Sequence, residues 1–315
     1  MIKENQKEFD AARISKYQKL PMKKDPGIYV VLDSSHRPRD HDNIKIVIEN
    51  FRTDGKSGHN TNVSAVARQV VPDARIVSFN FFGTGKKEIV DWIIENKEDI
   101  AVVNCSFSGP RDSEIERLEE HDIIVIASSG NKGNENIISY PSQLPWIISI
   151  GAFEENRNQV AEYSNGGEGL KAVAFTDIWF PVTADYSKLH WFNGTSTAGP
   201  VAAGMIWLYM SRSGKKLSRQ QTKDFIRRNC IDLLEPGFDN KSGHGLFALP
   251  ERMNMEIKGL IGSRQLIVDG KIVNMDTEAI IDSNKRTLVP LRAIGEAIGG
   301  KVTWDAVKKE FTIKL

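Results

Sequence analysis

Short apolar runs alternate with stretches of helical periodicity through roughly the first 210 residues, and this alternation constrains the fold more than any other feature of the chain. Six runs rich in Val and Ile predict buried strands, at residues 28–33, 44–49, 75–82, 99–107, 122–128 and 146–151. Five stretches predict helices, at residues 61–70, 86–96, 113–121, 196–211 and 218–230. Such alternation predicts an α/β fold in which helices cover a mostly parallel sheet, with ligand sites near the carboxyl ends of its strands.

The pattern changes after Pro250. Residues 266–273 predict two strands around Asp269-Gly270, because Asp-Gly is a strong signal for a two-residue hairpin turn. A short helix is predicted at 288–298, closed by two glycines, and a second hairpin follows in strands 301–304 and 311–314. We therefore expect two domains, a large one over residues 1–251 and a small α+β one over residues 263–315, with the boundary near residues 252–263.

Composition and charge exclude several kinds of partner. Of the 315 residues, 40% are hydrophobic and 26% charged, and the net charge is +1, so no field of one sign points to nucleic acid or to an anionic membrane. The longest apolar stretch, residues 200–210, is too short to cross a bilayer. The N-terminal sequence carries no apolar signal segment, which predicts a cytoplasmic protein, while a secreted or processed form stays open. We accordingly expect Cys105 and Cys230 to be free thiols.

Three polar side chains stand where predicted elements begin or end. Asp33 closes the first strand, His59 precedes the first predicted helix, and Ser196 opens a buried helix. Serine hydrolysis needs all three, because the hydroxyl requires a base, and the base requires a group that fixes its tautomer. Taken singly, each also fits a helix cap, an ion-pair partner or a turn residue. Together they predict a catalytic triad.

A fourth segment runs from a buried strand into Ser-Ser-Gly and then Asn131. The side-chain amide of Asn131 is a candidate donor to an oxyanion, together with the Ser196 backbone amide at a helix N-terminus. The alternative is a turn residue, since Gly-Asn is common in turns. The order Asp, His, Ser along the chain differs from the orders found in α/β-hydrolases and in chymotrypsin relatives.

These segments resemble the sequence boxes of the subtilase family. The resemblance covers residues 27–249 and rests on VLDSS around Asp33, GHNTNVSAVA around His59, IASSGNKG around Asn131 and NGTSTAGPVAAG around Ser196. It implies a subtilisin-like three-layer fold and a serine endopeptidase that acts on polypeptides through an acyl-enzyme intermediate. The triad would be Asp33, His59 and Ser196, with Asn131 in the oxyanion hole.

The resemblance also implies how substrate is held. Residues 104–109 lie where the family has the strand that pairs with the substrate backbone, so that backbone hydrogen bonds give affinity and pockets give preference. The residues expected to bind substrate are Ser106, Phe107, Ser108, Gly109, Ser129, Gly130, Lys132 and Ser139. A lysine at the pocket rim indicates tolerance of acidic side chains before the scissile bond, and a solvated surface lysine is the equal alternative.

Four residues depart from the family pattern close to the site. Asn60 stands where the family has a glycine after the catalytic histidine, and Asn62 replaces the family's second, structural histidine. Ser35 replaces a glycine after Asp-Ser, and Thr197 replaces a methionine after the nucleophile. None of them removes a catalytic group. Asn60 and Ser35 motivate an alternative function, a catalytically weak or inactive pseudoprotease that binds peptides in the same groove.

No cofactor is expected. Residues 65–74 pass almost directly from the histidine helix to the next strand, where many family members insert a calcium-binding loop, so the strong calcium site is expected to be absent. A weak calcium site around Asp40, His41 and Asp42 stays open, with a solvated loop as the alternative.

The C-terminal segment resembles the small domain named after the N-terminal region of copper amine oxidases. The resemblance rests on LIVDGKIV, RTLVPLRAIGEAIGGKVTWD and FTIKL. Residues 263–315 contain no histidine and no cysteine, so a copper site is not expected. Docking, spacing and oligomerisation all fit such a domain, and the sequence does not choose among them.

Overall fold

The computed structural model describes residues 2–34, 46–47, 58–82, 85–181, 188–251, 257–268, 271–297, 301–305 and 310–314. The chain divides into two compact units, Met1–Glu251 and Arg252–Leu315, called here the N-terminal and C-terminal units. No helix among these residues is both long enough and apolar enough to cross a membrane.

The N-terminal unit is built from short strands and helices that follow one another along the chain. Its strands are β1 (Ile28–Asp33), β2 (Ile46–Val47), β3 (Ile76–Asn80), β4 (Ile100–Cys105), β5 (Val125–Ser128), β6 (Ile148–Glu154), β7 (Gln159–Val160), β8 (Leu170–Phe175), β9 (Ile178–Pro181), β10 (Leu189–Phe192), β11 (Cys230–Ile231) and β12 (Leu246–Phe247). Its α-helices are α1 (Gln6–Ala11), α2 (Ile14–Gln18), α3 (His59–Val70), α4 (Lys86–Glu95), α5 (Ser113–Glu116), α6 (Thr195–Ser213) and α7 (Arg219–Arg228).

One large sheet organises this unit. Its strand order is β11-β12-β8-β6-β5-β4-β1-β3-β2, with β7 paired to β6. All the pairs from β12 to β2 are parallel, whereas β11 and β7 pair antiparallel to their neighbours. The two strands β9 and β10 form a separate antiparallel hairpin. The predicted mostly parallel α/β fold is therefore confirmed.

Strand β1 is buried on both faces, as its unbroken apolar sequence requires. Val30 and Leu32 belong to a core cluster that also contains Ile89 of α4. On the opposite face, the Tyr29 hydroxyl donates a hydrogen bond to the Pro200 carbonyl of α6, over 3.1 Å. Because neighbouring side chains of a strand point to opposite faces, the sheet is the middle of three layers.

Helix α6 packs on β4, β5, β6 and β8 and also against α3. The contact with α3 is made at Gly204, where an added Cβ would lie 2.6 Å from Cγ1 of Val70. Carbon atoms that are not bonded pack at about 3.5–4 Å, so no larger residue fits without movement. Gly204 therefore permits the short distance between the helix that begins with His59 and the helix that carries Ser196.

Most of the predicted elements are present with shifted ends. The predicted helix 113–121 is one turn of α-helix, α5, followed by a 3₁₀ helix, Arg117–His121. Of the predicted strand 44–49, only β2 lies within the described residues. The helices α1 and α2 and the strands β7 to β12 were not predicted, and each of them has six residues or fewer.

The C-terminal unit contains small antiparallel sheets and one helix. Its elements are β13 (Ile257–Gly259), β14 (Gln265–Val268), β15 (Lys271–Asn274), β16 (Ile280–Ile281), β17 (Thr287–Leu288), α8 (Leu291–Ala297), β18 (Lys301–Asp305) and β19 (Glu310–Lys314). The strand pairs β14–β15 and β18–β19 confirm the two predicted hairpins. The predicted helix 288–298 begins later, at Leu291, because Pro290 disfavours helical geometry in the residue before it.

Candidate active site

The site lies at the carboxyl end of β1, where Asp33 is the last residue of the strand and is 1% exposed. Asp33 Oδ1 accepts hydrogen bonds from the Ser34 amide over 2.6 Å and from the Ser34 hydroxyl over 3.1 Å. It also lies 2.8 Å from Nδ1 of His59. Within the described part of the chain, the buried Oδ2 of Asp33 has no hydrogen-bond partner. The Asp33 carboxylate is thus held with one oxygen in hydrogen-bonding contact with the His59 imidazole.

His59 is the first residue of α3, and its ring is about one-third exposed. Burial lowers the pKa of the imidazole, but the hydrogen bond and the negative charge of Asp33 outweigh burial and raise that pKa above its usual 6.5. The ring also meets Phe192 edge to face, with centroids 5.5 Å apart. The base is therefore oriented from one side by a carboxylate and from another by an aromatic ring.

Ser196 is the second residue of α6, directly after a turn in which Gly194 has a φ of 95°. Its hydroxyl donates a hydrogen bond to the Ser106 carbonyl over 3.1 Å. Asp33, His59 and Ser196 line one cleft, of about 950 Å³. A helix N-terminus presents free amides and the positive end of the helix dipole, so negative charge is favoured at this end of the cleft.

Asn131 lines the same cleft, and its orientation is fixed by the residue before Ser196. Asn131 Oδ1 accepts hydrogen bonds from the Thr195 amide over 2.9 Å and from the Thr195 hydroxyl over 2.7 Å. Its carbonyl end is therefore engaged, and its Nδ2 remains available as a donor. Thr195, which is 1% exposed, was missed in the sequence because a hydroxyl beside a nucleophile gives no signal of a partner 64 residues away.

Asn60, the first departure from the family pattern, is fully buried and points away from the cleft. Its Nδ2 donates to the Ser34 carbonyl over 2.7 Å and to the Phe79 carbonyl over 3.1 Å. Its Oδ1 accepts from the hydroxyls of Ser78 and Ser64, over 2.6 and 3.2 Å. The side chain thus joins β1, β3 and α3. Ser35, another departure, lies outside the described residues.

The predicted substrate-binding residues divide into two groups. Six of them line the cleft, namely Ser106, Phe107, Ser108, Gly109, Lys132 and Ser139. Ser129 and Gly130 instead lie buried behind its wall. Ser129 accepts the Ser139 amide through its carbonyl, and a Cβ at Gly130 would lie 2.3 Å from the Ser139 hydroxyl. These two residues pack against Ser139 from behind that wall, and their expected role in substrate binding stays a prediction.

Two positions in this wall were missed in the sequence. Asn165, which is 2% exposed, accepts the Lys132 amide over 2.9 Å and donates to the Ser139 hydroxyl over 3.2 Å, so it ties the rim of the pocket to its base. Arg111 also lines the cleft but is paired with Glu116. The expected tolerance of acidic side chains thus stays a prediction that rests on Lys132.

Metal-binding and thiol chemistry give no further site in this part of the chain. Among the described residues, no group of three His, Cys, Asp or Glu side chains is placed to hold a metal ion. The candidate calcium ligands Asp40, His41 and Asp42 lie outside the described residues. Cys105 and Cys230 are free thiols, as expected.

Comparison with known proteins identifies both units. The chain matches the model of the subtilase family over residues 52–245 and the model of the copper amine oxidase N-terminal domain over residues 249–314. The chain belongs to the subtilase family of serine endopeptidases. Both predicted resemblances are therefore confirmed.

Relatives of known function share limited identity with this chain. It is 28% identical over 247 residues to the minor extracellular protease Epr of Bacillus subtilis, a match that covers 69% of this chain and 37% of that protein. It is 28% identical over 211 residues to subtilisin DY of Bacillus licheniformis, covering 59% of this chain and 74% of that protein. The matched region is thus a little over a third of Epr.

Two solved structures share the fold. A lanthipeptide protease superposes with a TM-score of 0.58 at 22% identity, covering 76% of this chain and 91% of that one. The prenylagaramide maturation protease PagA superposes with a TM-score of 0.60 at 19% identity, covering 75% of this chain and 96% of that one. The predicted subtilisin-like three-layer fold is confirmed by this likeness.

Proposed function

We propose that this chain is a serine endopeptidase that cleaves polypeptides through an acyl-enzyme intermediate. The observation that carries the proposal is the 2.8 Å contact between Asp33 Oδ1 and His59 Nδ1 in the cleft that also contains Ser196. A carboxylate that accepts the Nδ1 proton leaves Nε2 as the basic nitrogen. This is the tautomer that a base needs in order to take a proton from a serine hydroxyl.

The proposed reaction uses the named groups in sequence. The Ser196 hydroxyl turns from the Ser106 carbonyl to His59, which takes its proton as Oγ attacks the scissile carbonyl carbon. The Ser196 amide and Asn131 Nδ2 donate to the tetrahedral oxyanion. The imidazolium protonates the leaving amine, and the C–N bond breaks. Water, activated by the same imidazole, then hydrolyses the acyl ester.

The alternative, a pseudoprotease, was motivated by side chains that replace small residues near the base. The burial of Asn60 and its hydrogen bonds to Ser34 and Phe79 support catalysis instead, because they place its side chain between strands and away from the imidazole. Thr197 is likewise fully buried. Neither side chain occupies the cleft that contains Ser196.

The proposal is tested by labelling and hydrolysis in parallel. The wild-type chain is expected to react with a fluorophosphonate probe and to cleave peptides from a proteome-derived library. Ser196→Ala is expected to lose labelling and to lose turnover by on the order of 10⁴–10⁶, because the nucleophile is gone. Ser113→Ala, which removes an exposed hydroxyl outside the cleft, is the matched control and should keep both labelling and turnover.

Equal labelling of the wild type and Ser196→Ala would contradict the assignment of the nucleophile. Tight peptide binding by the wild type with no product after days would favour the pseudoprotease. Mass spectrometry of the cleaved library also reports which side chains precede the scissile bond.

A further inference from the structure

A second cavity, of about 580 Å³, shares no lining residue with the catalytic cleft. We call it the acidic pocket and define it by Glu8, Glu154, Asp177, Trp179, Trp191 and Asn193. It is formed where α1 meets the end of β6 and the hairpin β9–β10. Asn5 fixes this meeting, because its Nδ2 donates to the Trp179 carbonyl and its Oδ1 accepts the Trp179 amide, each over 2.8 Å.

Two carboxylate oxygens of the pocket have no hydrogen-bond partner in the described part of the chain. Glu8 is only 4% exposed, and its Oε2 is a buried atom with no hydrogen-bond partner among the described residues. The same holds for Oε2 of Glu154, whose side chain is 14% exposed. A buried carboxylate oxygen without a partner is costly, so a positively charged donor placed there would be stabilised.

The cations of the chain at this pocket do not fill that need. Lys7 is 63% exposed and pairs over 3.2 Å with Glu155, which does not line the pocket. Arg157 is 62% exposed and approaches Glu154 Oε2 only to 3.5 Å. The pKa of the Asp177 carboxyl is raised to about 6, by burial first and then by the charge of Glu154. Counted over the residues that the structure describes, the lining of the cavity carries four carboxyl side chains and only these two cations.

The walls of the pocket distinguish between kinds of cation. Trp179 and Trp191 form aromatic walls, and Trp191, which is 45% exposed, hydrogen-bonds to Asp177. Aromatic faces attract ammonium and guanidinium groups, whereas a hard metal ion needs six or more oxygens. No group of three metal-binding side chains occurs among the described residues. An organic cation therefore fits this pocket better than a metal.

The position of the pocket indicates where such a cation would come from. Asn193 lines it and lies three residues before Ser196, so their Cα atoms are at most about 11 Å apart. Phe192, the residue before Asn193, touches the ring of His59, the group proposed to protonate the leaving amine. Ser106, on the side proposed to hold the acyl half of a substrate, lies in the other cavity. These two facts favour the side by which the leaving half of a peptide departs.

We infer that the acidic pocket binds a lysine or arginine side chain two or three residues C-terminal to the scissile bond. An extended peptide rises about 3.3 Å per residue, so these positions reach about 7–10 Å from the scissile carbonyl. This inference rests on the proposed function, because it assigns the leaving half of the substrate of that reaction. It names a class of substrate, polypeptides with a basic residue after the cleavage point.

The test uses internally quenched peptides that differ only at the third residue after the scissile bond, which is lysine, norleucine or glutamate. For the wild-type chain, kcat/KM is expected to be about 5- to 20-fold higher with lysine than with norleucine, the range that a partly desolvated cation–π and ion-pair contact supplies. Glutamate should give the lowest value. Asp177→Asn and Glu8→Gln should each bring the lysine-to-norleucine ratio to within about 2-fold. The exposed Asp224→Asn on α7 is the matched control and should keep the ratio.

The possible outcomes separate this inference from the proposed function. Cleavage of all three peptides at equal rates overturns the inference and leaves the endopeptidase intact. A ratio that falls equally in Asp177→Asn and in Asp224→Asn also overturns it. If no peptide is cleaved, tryptophan fluorescence of Ser196→Ala titrated with the same peptides decides. Tighter binding of the lysine peptide then supports the pocket without catalysis, and equal binding overturns it.

Discussion

At the scale of single residues, hydrogen bonds between neighbouring side chains and amides hold the candidate site in place. Asp33 is fixed by Ser34, His59 by Asp33, and Asn131 by Thr195. These three side chains are therefore held by neighbours before any substrate arrives, an arrangement that lowers the cost of reaching a transition state. The Ser196 hydroxyl alone has to turn, from the Ser106 carbonyl.

The pH dependence of hydrolysis is expected to report the state of His59. Because its folded pKa is raised above 6.5, the protonated ring persists to higher pH and cannot accept the Ser196 proton. We predict that kcat/KM falls as pH drops through an apparent pKa above 6.5. Asp33→Asn should lower turnover by on the order of 10⁴ and shift that pKa downward. Steady-state profiles from pH 5 to 9, with an NMR titration of the histidine, measure both.

The same hydrogen bond has a defined effect on stability. A histidine with a raised folded pKa contributes stability that is fully present below its unfolded pKa and is lost as pH rises through the folded pKa. Asp224→Asn, on the surface of α7, is the control variant and should leave the pH profile of kcat/KM unchanged.

A kcat/KM of the wild type that is constant from pH 5 to 9 would contradict the role of His59 as base.

At the scale of elements, the site is assembled where β1, β3 and α3 meet, and Asn60 is the side chain that joins them. Two of its hydrogen bonds go to strand-end carbonyls, and two come from serine hydroxyls in the interior. A glycine at this position would leave these groups without the amide. At this position, therefore, hydrogen bonds of the Asn60 amide hold the two strands and the helix together, where a small residue would allow close backbone packing.

Replacement of Asn60 is expected to affect stability and catalysis together. Asn60→Ala should lower the free energy of unfolding by about 2–4 kcal/mol, since it leaves buried polar groups unpaired. It should also lower kcat/KM by roughly 10²-fold, because a shift of about 1 Å in the imidazole costs about that much. Denaturant unfolding and steady-state kinetics on the same preparations measure the two effects.

Ser64→Ala is the matched control for this prediction. It removes one hydrogen bond to Asn60 Oδ1 and a longer contact, of 3.5 Å, with the Ser78 hydroxyl of β3, but it leaves both hydrogen bonds of Asn60 Nδ2 in place. It should therefore cost about 1 kcal/mol and leave kcat/KM within about 2-fold of the wild type. Unchanged kinetics in Asn60→Ala, despite lost stability, would show that Asn60 is structural only.

At the scale of the whole molecule, the two units have separate hydrophobic cores. The C-terminal core contains Leu266, Met275, Ala279 and Ala293, whereas the residues that line the catalytic cleft all belong to the N-terminal unit. Such a small core leaves little margin of stability, since domains of this size bury a smaller fraction of their surface.

A core substitution in the C-terminal unit should therefore separate the stability of that unit from activity. Leu266→Ala, at a residue 2% exposed, is expected to destabilise the C-terminal unit by about 2–5 kcal/mol. Hydrolysis of a short reference peptide should stay within about 2-fold of the wild type. Scanning calorimetry and kinetics measure the two, with Ile281→Ala, at a residue 55% exposed, as the control. Loss of hydrolysis in Leu266→Ala alone would contradict this independence.

The sequence predicted those features that depend on local patterns. Asp33, His59 and Ser196 could be found because each stands at the boundary of an apolar run. Their order along the chain then excluded the α/β-hydrolase and chymotrypsin classes of serine hydrolase. Thr195 and Asn165 could not, since their roles come from loops that meet only after folding. The hairpin β9–β10 was missed as well. Its two strands have only four residues each, too few to show a strand pattern in sequence.

The glycine contact between α3 and α6 has a consequence for how this protein can change over time. Because no larger residue fits at Gly204 without movement, a substitution at Gly204 or Val70 alters the distance between the helices that carry His59 and Ser196. An added methyl group there lies outside the cleft, yet it would change the distance over which the proposed proton transfer takes place. Accepted changes at these two positions should therefore occur as compensating pairs across lineages.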